Sequence, residues 1–256
     1  MELQDKVAFI TGGASGLGKA TAENFIKAGA KAMLFDLNED NAKKAAAELG
    51  ENASFAAGDV ADEDAVKAAI GKTLDAFGAI HVDVNCAGIG AAARTLGRDG
   101  PMPLRTFEFV LRVNLIGTFN VIRLCSEVMQ NNEAVTEDGE RGVIINVASV
   151  AAFDGQIGQA AYSASKGGIV GMTLPIARDL CKLGIRCVTV APGIFETPMM
   201  AGAPPQVRDP LIEMTQFPHR LGNPEEFAQT AAYIVNCSYI NGETIRLDSG
   251  IRMQPR

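Results

Sequence analysis

The sequence predicts an α/β protein in which a seven-stranded parallel sheet is covered by helices on both faces, the doubly wound arrangement. Short apolar runs alternate with longer helical patterns along the whole 256-residue chain, and this alternation is typical of parallel sheets. The strand-like runs are almost continuously apolar, as strands buried on both faces require. No linker-like stretch divides the chain, so residues 1–256 are predicted to form a single domain.

The predicted strands are apolar runs of four to six residues, a length common for buried strands. In chain order they are Val7–Thr11, Ala32–Asp36, Ala53–Gly58, Val82–Asn85, Val143–Ala148, Cys187–Ala191 and Thr244–Leu247. Longer segments with a helical pattern separate them. The predicted helices are Leu17–Ala28, Glu39–Leu49, Glu63–Phe77, Leu104–Met129, Ala160–Leu183 and Pro224–Asn236.

Irregular segments interrupt the alternation at Gly90–Pro103, Asn131–Gly142 and Pro192–Pro218. The first and third follow strand ends. Because ligands of open α/β sheets bind beyond the carboxyl ends of strands, these two segments are predicted to border the ligand site. The middle segment enters a strand, so it is expected at the opposite edge of the sheet.

The composition argues against several classes of partner. A formal charge of -7 disfavours non-specific nucleic-acid binding, which needs a basic face. No uninterrupted apolar run reaches the roughly 20 residues of a membrane span, so no membrane contact is expected. The segment MELQDKVAFITGG has neither a basic signal region nor an Arg-rich presequence, which favours a cytoplasmic protein.

Cysteine and histidine usage predicts neither disulfides nor a metal. The five cysteines are odd in number and form no CxxC, so they are expected to be reduced thiols. The two histidines, His81 and His219, are far apart in the sequence. Because no His/Cys/carboxylate cluster has ligand spacing, no catalytic metal is predicted.

A glycine-rich turn follows the first strand in KVAFITGGASGLGKA. Gly12, Gly16 and Gly18 allow a tight turn and close backbone approach to a phosphate, and the helix that follows supplies oriented N–H groups. This strand–turn–helix context predicts a dinucleotide-binding Rossmann fold. A phosphate loop of nucleotide hydrolases would need a hydroxyl where Ala20 stands, and a GxSxG nucleophile elbow would need glycine where Leu17 stands.

Asp36 ends the second predicted strand, eighteen residues after Gly18. A carboxylate at this distance accepts hydrogen bonds from the adenosine ribose and repels a 2′-phosphate, which selects NAD over NADP. The neighbouring Ser15 and Leu37 are not basic, in agreement with NAD. The alternative is an aspartate that only caps a helix or a turn.

Tyr162 and Lys166 lie four residues apart, and Ser149 precedes Tyr162 by thirteen residues. On a helix this spacing puts the phenol and the ammonium on one face. A nearby cation favours the phenolate and lowers the tyrosine pKa, so the set can exchange a proton with a carbonyl or an alcohol. Taken alone, the spacing also fits an ordinary exposed Tyr–Lys pair.

Ordered motifs extend the pattern over nearly the full chain, and together they resemble the short-chain dehydrogenase/reductase family. They are TGGASGLG, Asp59–Val60, NCAG at Asn85–Gly88, Asn114, Ser149, YSASK at Tyr162–Lys166 and PG at Pro192–Gly193. Cys86 departs from the family, which most often has a second asparagine there. The departure is mild.

The resemblance implies a proton relay. Tyr162 would be the general base in oxidation and the general acid in reduction, Lys166 would lower its pKa and bind the nicotinamide ribose, and Ser149 would orient the substrate oxygen. The side chain of Asn114 would hold a water that links Lys166 to solvent. The alternative for Asn114 is a satisfied polar residue in the core.

The resemblance also implies an NAD site and a substrate site. The residues expected at the cofactor are Gly12, Ser15, Gly16, Leu17, Gly18, Asp36, Asp59, Val60, Cys86, Ala87, Gly88, Tyr162, Lys166, Pro192, Gly193, Ile194 and Thr197. Those expected at the substrate are Ser149, Gln159 and Tyr162, in an apolar cleft lined by Phe153, Gln156 and Leu211. Arg94, Arg98 and Arg105 are candidates for coenzyme A phosphates, although exposed loop arginines are common.

The segment around Tyr162 and the ending NGETIRLDSGIRMQP resemble a subgroup that interconverts 3-hydroxyacyl-CoA and 3-ketoacyl-CoA. That likeness implies a homotetramer, in keeping with a helix Ala160–Leu183 that is apolar on more than one face. Animal members are mitochondrial, which the acidic start does not support. The alternatives are a dehydrogenase of steroids or other hydrophobic secondary alcohols, and a cofactor-binding scaffold.

Overall fold

A computed structural model describes residues 1–201 and 204–255. Its sheet contains seven strands, all neighbours being parallel, in the order β3-β2-β1-β4-β7-β8-β9. A separate antiparallel hairpin is formed by β5 and β6. The strands are β1 Val7–Thr11, β2 Lys31–Asp36, β3 Ala53–Ala57, β4 Val82–Asn85, β5 Leu96–Gly97, β6 Gly100–Pro101, β7 Gly142–Val147, β8 Ile185–Pro192 and β9 Thr244–Leu247.

Helices cover both faces of the sheet, which confirms the doubly wound prediction. They are α1 Gly16–Lys27, α2 Glu39–Leu49, α3 Glu63–Phe77, α4 Leu104–Leu111, α5 Thr118–Met129, α6 Ala160–Leu180, α7 Pro198–Ala201, α8 Pro205–Glu213 and α9 Pro224–Asn236. One core layer packs α1, α2 and α9 on the sheet, with Phe25 and Phe227 fully buried. The other packs α3, α5 and α6.

The helix predicted over Leu104–Met129 is continuous but not uniform. A π-helical segment, Arg112–Gly117, joins α4 to α5. Such segments widen one turn and frequently occur at functional sites, and Asn114 lies in this one. By length and composition the stretch also meets the criterion for a membrane span, although a helix packed in a protein core passes the same test, and 56% of the tested window is buried.

Two segments predicted as irregular contain regular structure. The hairpin of β5 and β6 lies within residues 90–103, and α7 and α8 lie within residues 192–218. The prolines misled the prediction, because Pro198 and Pro205 each begin a helix, where the missing N–H has no intrahelical partner to lose. Residues 131–142 lie at the edge of the sheet where the strands begin, as expected. The Asn132 amide donates to Ile80 O (2.7 Å), two residues before the start of β4.

Strand β8 begins at Ile185, two residues before the predicted start, because Arg186 is buried. Its guanidinium donates to Glu140 Oε1 (2.8 Å) and to the carbonyl oxygens of Ile234, Val235 and Ile240. Glu140 also accepts from Ser238 Oγ (2.7 Å) and from the Met1 amino group (2.9 Å). These hydrogen bonds connect the loop before β7, strand β8 and the end of α9.

Candidate active site

A cleft of about 870 Å³ lies at the carboxyl ends of the central strands. The carboxyl end of β2 and the segments that follow β1, β4, β7 and β8 all contribute lining residues, such as Asp36, Gly12, Gly88, Ser149 and Gly193. This is the position at which open parallel sheets bind ligands. All the residues predicted for the cofactor lie in this lining.

The turn between β1 and α1 needs its glycines. Gly12 and Gly16 have φ of +61° and +53°, in the left-handed region that other residues rarely adopt. A Cβ on Gly18 would lie 2.3 Å from Gly12 O, so the helix start can approach the turn only without a side chain. Ser15, Gly16, Leu17 and Gly18 therefore present the first N–H groups of α1 to the cleft, an arrangement that fits a phosphate.

Asp36 lies in the lining and braces the glycine turn at the same time. Its Oδ2 accepts from Ala14 N (3.1 Å), and its Oδ1 accepts from Asn38 N (3.1 Å). The turn role considered from the sequence is thus present in the structure. It does not compete with a ribose contact, because each carboxylate oxygen can accept a second hydrogen bond.

The segments after β3 and β4 form the middle of the cleft. Asp59 Oδ1 accepts from Ala61 N (2.9 Å), and Val60 is buried beside it. Ala87 N donates to Thr11 Oγ1 (3.0 Å). A Cβ on Gly88 would lie 3.2 Å from Asn114 Oδ1 and 3.5 Å from Lys166 Nζ. A side chain at this position would therefore fill the part of the cleft beside these two residues.

Cys86, which replaces the usual asparagine of the motif, also lines the cleft. Burial raises the pKa of its thiol to about 12. It therefore stays a neutral thiol and brings no nucleophile to the site.

Ser149, Tyr162 and Lys166 meet in the cleft. Ser149 follows β7 and lies close enough to the Tyr162 hydroxyl to act on its pKa, while its Oγ accepts from Ala151 N (3.1 Å). Lys166 is 5% exposed and lies one turn after Tyr162 on α6. Its Nζ is 5.9 Å from the Tyr162 ring centre. This burial excludes an ordinary exposed Tyr–Lys pair.

The pKa of Tyr162 is shifted in the direction opposite to the one expected from the sequence. Burial raises the pKa of Tyr162, and the hydrogen bond with Ser149 offsets only part of that rise. The Lys166 ammonium donates to Val147 O (2.7 Å), and a lowering of the Tyr162 pKa by Lys166 stays a prediction. Burial lowers the pKa of Lys166 to about 8. Tyr162 is therefore a phenol at neutral pH, ready to donate a proton.

Asn114 is fully buried, and its side chain is occupied by protein groups. Its Oδ1 accepts from Ile89 N (2.8 Å), and its Nδ2 donates to Ile89 O (3.0 Å) and Ser165 Oγ (3.1 Å). Both amide hydrogens are used and Oδ1 keeps a second lone pair, so the role of the side chain in holding a water stays a prediction. The side chain instead ties the segment after β4 to α6, next to Lys166.

The segment after β8 closes the cleft. Gly193 N donates to Leu247 O (2.9 Å), and Ile194 O accepts from Gly222 N (2.9 Å). Thr197 lies against the glycine turn, since a Cβ on Gly16 would be 3.5 Å from its methyl group. Pro192, Gly193, Ile194 and Thr197 all line the cleft, as predicted.

The substrate end of the cleft partly matches the prediction. Gln159, Gln156 and Leu211 line it, and Gln159 Oε1 accepts from Gln156 N (2.9 Å). Phe153 is not part of the lining, because its ring packs under the Arg246 guanidinium at 5.2 Å. The three candidate arginines, Arg94, Arg98 and Arg105, are exposed outside the lining.

Phe109, Met200 and Met253 line the cleft and were missed from the sequence. Met253 lies near the end of the chain, which Gln156 Nε2 holds through Gln254 O (3.0 Å). No local pattern marks this return of the C-terminal segment. Within residues 1–201 and 204–255, no group of three His, Cys, Asp or Glu side chains is arranged to hold a metal ion.

Comparisons with known proteins agree with this geometry. The family model "short chain dehydrogenase" matches residues 6–208. 3-Hydroxyacyl-CoA dehydrogenase type-2 of Bos taurus is 54% identical over 251 residues, covering 97% of this chain and 96% of the relative. The enzyme of that name from Drosophila melanogaster is 49% identical over 99% of this chain and 100% of its own.

A solved structure shares the fold as well as the sequence. The crystal structure of 3-hydroxyacyl-CoA dehydrogenase type-2 from Mycobacterium avium superposes with a TM-score of 0.92 at 40% identity, covering 98% of this chain and 97% of that one. The fold, the cleft and the matched motifs lead to one conclusion. The chain belongs to the short-chain dehydrogenase family.

Proposed function

We propose that residues 1–256 form a single dinucleotide-binding catalytic domain that interconverts 3-hydroxyacyl-CoA and 3-ketoacyl-CoA with NAD(H). The observation that carries the proposal is the placement of Ser149, Tyr162 and buried Lys166 in the lining of one cleft. The printed names of relatives 49–54% identical support the substrate class.

The cleft fits a dinucleotide. The first turn of α1 would hold the phosphates, Asp36 the adenosine ribose, and Asp59 and Val60 the adenine. Ala87, Gly88, Ile194 and Thr197 would contact the nicotinamide end. Gly88 leaves room there for the cofactor, because it has no side chain. When bound, NAD(H) supplies the hydride chemistry.

The protein supplies the proton and the orientation. In reduction, Ser149 donates a hydrogen bond to the substrate carbonyl oxygen, and Tyr162 donates its proton to the same oxygen. A raised tyrosine pKa suits this direction, because the phenol keeps its proton until the oxygen becomes basic. In oxidation the phenolate takes the proton, and the Lys166 charge stabilises that phenolate.

A comparison of substrates tests the proposed class. We expect kcat/KM for 3-hydroxybutyryl-CoA to exceed that for uncharged hydrophobic secondary alcohols, steroids included. The apolar lining from Phe109, Met200, Leu211 and Met253 favours the steroid alternative as the second candidate. A higher kcat/KM for a steroid alcohol than for the thioester would establish that alternative instead.

Replacing Asp36 tests the cofactor. In Asp36→Ala we expect the preference for NADH over NADPH to fall by about 10- to 100-fold, because a charge-assisted hydrogen bond and the repulsion of a 2′-phosphate are lost. Kinetics with both cofactors measure this ratio. Asp36→Asn is the matched control, since it keeps an acceptor for Ala14 N and removes only the charge. A wild-type enzyme that prefers NADPH would contradict the assignment.

Replacing two exposed arginines tests the thioester. In the double variant Arg98→Ala and Arg105→Ala we expect KM for acetoacetyl-CoA to rise about three- to tenfold, because exposed charge pairs contribute up to about 1 kcal/mol each. KM for an uncharged ketone should stay unchanged. Equal changes for both substrates would rule out contact with coenzyme A phosphates.

We infer that the enzyme assembles as a homotetramer. Exposed apolar side chains cluster on the helical stretch from α4 to α5, where Leu104, Phe109, Ile116 and Phe119 are 48–69% exposed, and Leu174 on α6 is 44% exposed. Apolar surface of this kind favours contact with a second copy of the chain.

A further inference from the structure

Asp83 is a carboxyl group enclosed in the core directly beneath the cofactor cleft. It lies in the middle of β4, a central strand, with 0% exposure. Its register partners are Phe9 on β1 and Ile144 on β7, both fully buried. A carboxylate without a counter-charge is very unfavourable in such surroundings.

The hydrogen bonds around Asp83 leave two acceptors without a donor. Asp83 Oδ2 accepts from Asn85 Nδ2 (2.8 Å), which also donates to Asn146 Oδ1 (3.1 Å). Asp83 Oδ1 and Asn85 Oδ1 are buried and have no partner among the described residues. A proton on Asp83 Oδ1 that is donated to Asn85 Oδ1 would satisfy both remaining oxygens, beside the hydrogen bond that already joins the two side chains.

The groups that face Asp83 do not stabilise a negative charge. They are the thiols of Cys86 just after β4, Cys125 on α5 and Cys187 on β8, whose pKa values are all raised by burial. His81, two residues earlier, is neutral at pH 7 because burial lowers its pKa to about 4. Burial raises the pKa of Asp83 to about 7, and only the Asn85 hydrogen bond acts against the rise.

We propose that Asp83 is a neutral carboxylic acid that donates its proton to Asn85 Oδ1, and that this pair positions the cofactor segment Asn85–Gly88. Asn85 ends β4, and Cys86, Ala87 and Gly88 line the cleft immediately after it. Without the proton, the Asp83 carboxylate and Asn85 Oδ1 repel each other. This repulsion would displace the segment Asn85–Gly88. Asp83 is thus a positioning residue that acts through Asn85.

Stability against pH tests the protonation without reference to catalysis. From pH 3.8, the ordinary Asp pKa, to about 7, the folded protein holds a proton that the unfolded chain releases. The unfolding equilibrium constant of the wild type, relative to Asp83→Asn, should therefore rise about tenfold per pH unit, up to about a thousandfold, and then level off. Asp83→Asn keeps the shape and a donor for Asn85 Oδ1. Parallel curves for the two proteins would overturn the proposal.

Cofactor affinity tests the positioning, and only this readout rests on the proposed NAD site. Between about pH 6 and about pH 9 we expect the Kd for NADH of the wild type to rise several-fold relative to Asp83→Asn. Lys166, with a pKa of about 8, titrates in both proteins, so the difference isolates Asp83. An unchanged ratio of the two Kd values would reject the positioning role, even if NADH binds both proteins.

If Asp83→Asn does not fold, infrared spectroscopy of the wild-type protein decides the question. A protonated carboxyl C=O stretch should be present at about pH 6, from a group shielded from solvent exchange, and should vanish as the pH rises through about 7. A carboxylate at Asp83 already at about pH 6, detected by 13C-aspartate NMR, would overturn the proposal.

Discussion

Replacing Tyr162 with Phe should lower kcat for acetoacetyl-CoA reduction by about a thousandfold, the scale of a lost general acid. Phe keeps the ring and its burial, so the change removes only the hydroxyl, which lies near Ser149 in the cleft. Without that hydroxyl the carbonyl oxygen receives no proton, while Ser149 still supplies one hydrogen bond. Steady-state kinetics with NADH measure the loss.

The control for Tyr162→Phe is cofactor binding. NADH affinity should fall at most about tenfold, because the change removes no more than a single hydrogen bond to the cofactor. Ser149→Ala provides a matched comparison in which the acid remains but the hydrogen bond that orients the substrate is removed. If Tyr162→Phe kept more than about a tenth of the wild-type kcat, Tyr162 would not be the proton donor.

Replacing Arg186 with Met should lower the free energy of unfolding by about 3–5 kcal/mol, the usual cost of breaking a buried ion pair from one side. The change removes the donors to Glu140 and to three carbonyl oxygens while keeping an apolar side chain of similar length. Urea unfolding followed by circular dichroism measures the loss.

A second variant separates the charge from the packing. Adding Glu140→Gln to Arg186→Met should lower the free energy of unfolding further, because the buried Met1 ammonium then loses its carboxylate partner (2.9 Å). A matched control is Arg220→Met, because the pair of Arg220 with Glu226 is half exposed and solvent screening leaves it little effect on stability. Equal decreases in the free energy of unfolding for Arg186→Met and Arg220→Met would show that the buried pair Arg186–Glu140 stabilises the fold no more than an exposed pair does.

Most of the fold follows from local patterns, and the deviations have identifiable causes. Strands β1, β4 and β9 have the predicted bounds because their apolar runs end where pairing ends. Strand β8 extends to Ile185 because Arg186 finds its partner in Glu140, 46 residues away in the sequence. A charge next to the first residue of an apolar run argues against extending the strand until its partner is known.

The residues of the site were predictable where the chemistry lies in a short motif, as in the turn from Gly12 to Gly18 and in the spacing of Tyr162 and Lys166. They were not predictable where tertiary contacts decide. The Asn114 side chain meets Ile89 and Ser165 through a π turn that no spacing reveals. The direction of the Tyr162 pKa shift depends on burial, which a sequence does not contain.

The most direct measurement is turnover of NADH with acetoacetyl-CoA by the purified full-length protein, followed by loss of NADH absorbance. We predict saturable turnover that produces 3-hydroxybutyryl-CoA, that is much slower with NADPH, and that falls by about a thousandfold in Tyr162→Phe. No turnover above the rate of Tyr162→Phe, with NADH bound to both proteins, would contradict the assignment of this cleft as a 3-hydroxyacyl-CoA dehydrogenase site.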